Sequence, residues 1–193
     1  MKNDIVRLGL NLMAFTVIAG ALLAVADSIT APIIAAQQQE AELAALLEAL
    51  PVASTFVDGA EYLEGIEEGY PAVESIYVGL DEQGEQVGLL AKLSFKGYGG
   101  PIELMAGINQ NGKIAGLKVL SHQETPGLGE NITSESFVSQ FVDKSTAAPL
   151  RTVKSTATDE HDIVAITAAT ISSEAVVDGL NQFMQLFNAV WGK

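Results

Sequence analysis

Two stretches of this chain place residue types that can do chemistry at a useful spacing. The first is Asp162-Ile-Val-Ala-Ile-Thr-Ala-Ala-Thr-Ile-Ser-Ser173. An apolar strand signal ends, small residues follow, and a helix signal begins. Thr170 falls in the connecting turn, a few residues ahead of backbone amides that have no helical acceptor. Those amides and the helix dipole favour a negative group, and a phosphate esterified to the Thr170 hydroxyl would sit naturally there. Ala168 and Ala169 leave that hydroxyl uncrowded. The same residues also fit a plainer role, with Ser172 or Ser173 capping the helix and the small residues packing on a sheet.

The second stretch is Ser121-His-Gln-Glu-Thr-Pro-Gly-Leu-Gly-Glu130. Thr125-Pro126-Gly127-Leu128 fits a type II turn, with Pro second and Gly third. Gly129 keeps the backbone bare beside it, so the turn can present amides and carbonyls to a flat ligand at close range. Its plainer role is a connection between elements, with His122 at the surface or capping.

Elements on either side must position these stretches. Val73–Leu80 and Gln86–Lys96 read as strands joined across Asp81-Glu-Gln-Gly84. In the second strand Val87, Leu89, Ala91, Leu93 and Phe95 share one face and Lys92, Ser94 and Lys96 the other. Ile102–Ile108 and Lys113–Leu120 form a further hairpin across Asn109-Gln-Asn-Gly112, where Asn-Gly accommodates positive φ. Ser134–Phe141 reads as a short helix and Ile163–Ile166 as a short buried strand. The last helix is expected from about Ser173 to Val190, with Val176, Val177, Leu180, Phe183, Met184 and Phe187 as its apolar stripe. Strands paired by short hairpins predict an α+β domain with a mainly antiparallel sheet.

The N-terminal end is different in kind. Lys2 and Arg7 precede the apolar run Leu8–Ala26, which Ser28, Ile29 and Thr30 can extend. About 20 such residues cross the hydrocarbon core as a helix. No Lys or Arg follows until Lys92, so the positive-inside rule leaves the N-terminus cytoplasmic and the rest outside. Ala24-Val25-Ala26 also fits a signal-peptidase site, so anchor and cleaved signal both stand on these residues. Residues 32–51 read as a juxtamembrane helix, with Leu43, Leu46, Leu47 and Leu50 at helical spacing, packing on the domain in preference to forming a stalk. The expected organisation is an anchor at 1–31, this helix at 32–51, and a folded domain at 52–193.

Composition removes several classes. Acidic residues number 24 against 10 basic, a formal charge of −14. Such a surface repels a phosphate backbone, and aromatics at 6% supply few stacking platforms, so nucleic acid is excluded as a partner. With no cysteine there is no disulfide, no thiolate-bound zinc and no Cys-ligated iron–sulfur cluster. Any redox chemistry needs a cofactor independent of thiolates. The only histidines, His122 and His161, are too far apart in sequence for a helical metal pair.

Together the two stretches resemble the G subunit of the Rnf (Rsx) ion-translocating electron-transport complex, and more broadly the FMN-binding domain shared with the C subunit of the sodium-pumping NADH:quinone reductase. The resemblance spans nearly the whole chain. It includes the apolar helix with Thr30-Ala-Pro-Ile-Ile34, then Gly97-Tyr-Gly-Gly-Pro-Ile102, Gly112-Lys-Ile114, His122-Gln-Glu-Thr-Pro-Gly-Leu-Gly129, and Asp162 through Ser172. Asp162, Thr167, Ala169, Thr170 and Ser172 match the family's flavinylation motif, with Ala168 replacing its usual Gly. The resemblance implies FMN joined covalently through its phosphate to Thr170, transferred from FAD by a separate flavin transferase with release of AMP. It implies a flavin site that includes Thr167, Ala169, Ser172 and the loop residues His122, Glu124, Thr125, Pro126, Gly127 and Leu128. It implies the other members of the complex as partners, coupling electron flow between ferredoxin and NAD to sodium or proton movement. It favours an uncleaved single-pass anchor in the bacterial inner membrane, with the FMN domain periplasmic or extracellular. The alternatives are an exported free-standing covalent flavoprotein, or an exported binding module without redox function.

Overall fold

The computed structural model describes residues 2–191. They form two compact units divided between Ala41 and Glu42. Helix α1 (Lys2–Ala49) supplies all of the first and runs into the second. The segments expected as anchor and as juxtamembrane helix are parts of this one helix, and Pro32 lies inside it. Proline there removes one backbone donor, at a cost of about 3 kcal/mol. The runs of Ala, Leu, Gln and Glu that follow are strong helix formers and carry the helix through it.

Within the first unit, Arg7–Ile34 is long and apolar enough to cross a membrane. At 1.5 Å per residue its 28 residues reach about 42 Å, beyond the ~30 Å of a hydrocarbon core. Three of its hydroxyls bond back to the helix's own carbonyls. Thr16 Oγ1 donates to the Met13 carbonyl at 2.9 Å, Ser28 Oγ to Val25 at 2.8 Å and Thr30 Oγ1 to Ala26 at 3.0 Å. A hydroxyl satisfied in this way does not oppose burial in hydrocarbon.

The second unit is built on a five-stranded antiparallel sheet in sequence order: β1 (Thr55–Asp58), β2 (Val73–Leu80), β3 (Gln86–Lys96), β4 (Pro101–Asn109) and β5 (Ile114–His122). The predicted turns form as the residues dictate. Gly84 (φ 83°) donates to the Asp81 carbonyl, and Gly112 (φ 69°) to that of Asn109. The Asp81 and Asn109 side chains accept amides across their own turns. After β5 come a short helix α2 (Glu135–Val138), shorter than expected, then β6 (Arg151–Val153) and β7 (Asp162–Val164), and finally α3 (Thr170–Val190). β6 and β7 pair in parallel, which hairpin logic did not predict.

Both faces of the sheet are covered. One carries α3, whose six predicted stripe residues are all buried. The other carries the end of α1 and the residue after it, where Ala45, Leu46, Ala49 and Leu50 pack on Leu90 and Met105. Burying Leu46 and Leu50 contributes about 1.5–3 kcal/mol each. Leu43 and Leu47, expected in the same stripe, are exposed because they lie on the helix's outer side. Close approach there depends on glycine. A methyl at Gly107 would fall 2.3 Å from the Ala49 carbonyl oxygen, and one at Gly116, its cross-strand partner, 2.7 Å from that of Glu48.

Val87 also departs from expectation. It packs in the α1 cluster, not with Leu89, Ala91 and Leu93. The β2–β3 register shifts there, Gly79 pairing Gly88 and Leu80 pairing Gln86, and the extra residue turns Val87 to the opposite face.

Candidate functional site

Three segments meet at one end of the second unit: the 97–100 hairpin between β3 and β4, the 122–129 loop after β5, and the turn leading into α3. The turn is held by its own backbone and one serine. The Ala169 amide donates to the Ile166 carbonyl at 3.0 Å. Ser173 Oγ accepts from the Ile166 amide and donates to the Ala169 carbonyl, both at 3.0 Å. Ala168 sits at φ 63°, a left-handed conformation uncommon for a residue with a Cβ. The residue that stands where the resemblance gives Gly therefore lies at positive φ, the region in which glycine is the ordinary choice.

α3 starts at Thr170, three residues earlier than expected, with Ala169 as its N-cap and no side-chain cap. Ser172 and Ser173 thus lie within the first turn and do not cap it. Thr170 is the first helical residue, not a residue of the preceding loop. The amides of Thr170, Ile171 and Ser172 fall at the positions that lack an intrahelical acceptor.

The 122–129 loop turns as its sequence predicts. The Leu128 amide donates to the Thr125 carbonyl at 3.1 Å, and Gly127 has φ 75°, a type II arrangement. Glu124 is buried beneath it, at 6% exposure. Its Oε2 accepts a 2.6 Å bond from Ser172 Oγ, and its Oε1 accepts the Gly99 amide at 3.1 Å. One carboxylate thereby ties all three segments together. Behind it, His122 Nδ1 accepts the Glu124 amide at 3.3 Å.

Asp162 supports the turn from the other side. Its buried carboxylate accepts from the Thr158 amide and hydroxyl, the Asp159 amide and Arg151. The Thr158 amide above all, with Arg151 and the Asp159 amide, holds its pKa at about 2. The part played by an acid at this place is structural: it fixes β7 against β6 and the loop between them.

Between the three segments opens a cleft of about 410 Å³, within the ~300–1,000 Å³ range of small-molecule sites. Of the residues singled out from sequence, Glu124, Thr125, Leu128, Ala169, Thr170 and Ser172 line it. Thr167, His122, Pro126 and Gly127 stand outside the lining; Thr167, Pro126 and Gly127 are exposed. Sequence reasoning missed Tyr98 and Ile171, which line the cleft at 67% and 54% exposure. An aromatic flanked by Gly97 and Gly99 at a hairpin tip was the available signal for Tyr98. The lining of the cleft therefore combines the first turn of α3, with Thr170, and apolar side chains of Tyr98, Leu128 and Ile171.

Residues 97–185 match the FMN-binding domain model and residues 1–49 the RnfG N-terminal region. The chain is 35% identical over 194 residues to the G subunit of the ion-translocating oxidoreductase complex of Methanosarcina acetivorans, covering 99% of this chain and 98% of that one. It is 33% identical to the G subunit of the Na(+)-translocating ferredoxin:NAD(+) oxidoreductase complex of Acetobacterium woodii, covering 94% and 90%. The fold resembles that of the C subunit of the Na(+)-translocating NADH-quinone reductase from Parabacteroides distasonis, at 23% identity and a TM-score of 0.52 over 61% of this chain and 62% of that one. With relatives matched along nearly their whole length, an N-terminal apolar helix and an FMN-binding domain, the chain belongs to the RnfG family of ion-translocating oxidoreductase complexes.

Proposed function

We propose that this chain carries FMN joined through its phosphate to Thr170 Oγ1 and relays electrons within a membrane-bound, ion-translocating complex. The observation that carries the reading is the position of Thr170 as first residue of α3, lining the cleft formed with the 122–129 loop. A phosphodiester there meets unpaired amides and the positive end of a 21-residue helix. The volume and mixed lining of the cleft suit a flat ring with a polar tail. Bound flavin supplies the electron-transfer chemistry, while the protein supplies position and electrostatics.

Each residue of the site has a definable part. Thr170 provides the oxygen for the link: an Oγ1–P bond forms, the P–O bond to the AMP of FAD breaks, and the hydroxyl proton is removed by the transferase or solvent. No oxidation state changes in that step. The first-turn amides of α3 hold the phosphate. Tyr98, Leu128 and Ile171 shield apolar surface from water, and Thr125 offers a hydroxyl at the rim. Thr167 and Ala169 shape the turn that presents Thr170, and Asp162 holds that turn to the domain.

Arg7–Ile34 anchors the chain as a single pass, with the N-terminus cytoplasmic and the FMN domain outside. The remaining members of the complex supply and accept the electrons, and a flavin transferase acts once, during maturation.

The test is intact-mass analysis of membrane-extracted protein from the native host, with ultraviolet-excited fluorescence of the denatured chain on a gel. A chain beginning at residue 1 and carrying one FMN is expected. Absence of flavin would overturn the cofactor reading, and a mature N-terminus at Asp27 the anchor.

A further inference from the structure

Glu124 is the most constrained charged side chain around the cleft. It is buried at 6% exposure and lines the cavity, yet both carboxylate oxygens are already engaged. Oε2 takes the Ser172 hydroxyl and Oε1 the Gly99 amide. The surrounding backbone is cut away to admit it. A methyl at Gly97 would lie 2.1 Å from Oε1, and one at Gly129 2.5 Å from Oε2. Two glycines and a serine, drawn from three separate segments, thus share one requirement, which is to accommodate this carboxylate.

Such an arrangement is more than a fastener needs. A neutral amide or a second hydroxyl would join the same segments with less desolvation, since burying a charge is costly unless it is fully bonded. Among the described residues no Lys or Arg pairs with Glu124 in an ion pair. The charge is held by two neutral donors, which stabilise it without cancelling it. In a partly enclosed cleft its field reaches further than in water.

We propose that Glu124 is a positioning and tuning residue of the flavin cleft. It locks Ser172 and Gly99 around the site, and its uncancelled negative charge disfavours electron uptake there, holding the flavin at low potential. The Ser in the second position after Thr170 is on this account a donor to Glu124 that moderates that charge. The inference rests on the flavin reading given above.

The experiment compares wild type, Glu124→Gln and Ser172→Ala, each flavinylated by its transferase, with intact mass for attachment and optical redox titration for midpoint potential. Glu124→Gln removes the charge and is expected to raise the potential. Ser172→Ala keeps the charge but strips it of a hydrogen-bond donor, and is expected to lower it. Opposite shifts from the two partners of one hydrogen bond are the signature, because general loosening of the cleft would move both variants the same way. An unchanged potential in Glu124→Gln, or shifts of the same sign, would overturn the proposal. If Glu124→Gln fails to fold, Ser172→Ala decides alone, a rise in potential counting against. Loss of flavin from both variants in folded protein would place the pair in attachment and also overturn it. Wild type without flavin would instead sink the cofactor reading itself, so the two failures are distinguishable.

Discussion

Arg151 donates to Asp162 at 2.9 Å, one residue exposed to solvent and the other almost wholly buried. These two residues are also paired in register across the parallel β6–β7 ladder. Backbone and side-chain contacts therefore reinforce one another at the strand that leads into the Thr170 turn.

A pH dependence follows. Asp162 has a folded pKa of about 2, below its unfolded value of ~3.9. Its contribution to stability is complete above about pH 4 and is lost as pH falls through about 2. Denaturant midpoints of wild type and Asp162→Asn should differ at neutral pH, with wild type more stable, and converge between these limits. A difference that stays constant down to pH 2 would contradict the assignment.

Thr170→Ala should abolish covalent flavin while leaving the fold intact. The hydroxyl makes no hydrogen bond among the described residues, so its loss should cost about 0.5 kcal/mol or less. Thr170→Ser, which keeps the oxygen, should still be modified. Fluorescence on a denaturing gel reads both, and persistent flavin in the alanine variant would move the acceptor elsewhere.

Ala168→Gly should stabilise the domain. An L-residue in the left-handed region loses roughly 1–2 kcal/mol, offset in part by the greater unfolded-state entropy of glycine, for a net gain of about 0.5–1 kcal/mol. The Ala168 side chain is exposed, so no packing is lost. Urea titration measures the gain, and the initial rate of FMN transfer should rise with it. A destabilised Gly variant would show that the turn carries no strain.

Thr125→Ala and Leu128→Ala should leave the proposed phosphate linkage intact but shift the flavin potential, since both side chains line the cleft from the 122–129 loop, a segment separate from the turn that carries Thr170. Intact mass and redox titration separate the two effects. Wild-type potential in both would reduce the loop to a connection.

The hairpins were legible because their turns are local: Asp81 and Asn109 bond to amides two and four residues on. The α3 stripe was legible because one helix face repeats in sequence. Three features were hidden for physical reasons. β6 and β7 are three residues each, too short to show periodicity. The start of α3 is marked by Ala169, which has no side chain able to cap, so the serines further on drew the boundary forward. The bulge at Val87 arises from pairing with β2, which one strand's own pattern does not encode. Of the site, both chemical stretches could be read, and the resemblance implied that they share one site, but the bond that joins them could not be read. Glu124 and Ser172 are 48 residues apart, and only the fold joins them.

The strand order of the sheet has a kinetic consequence. Every strand of the five-stranded sheet lies beside its neighbour in sequence, and β2 to β5 are joined by short turns, so this part of the sheet can assemble by closing short loops, one hairpin at a time. The cleft depends instead on contacts between distant segments: Ser172 with Glu124, Asn181 with Leu150, and Gln182 with Ala72 across 110 residues. Closure entropy delays such contacts until the ends of long loops are brought together. Refolding should thus give a protected β3–β4 ladder before a protected Gly99 amide, an order that pulsed hydrogen exchange can read. The last part of this domain to form is then the cleft proposed to receive the flavin.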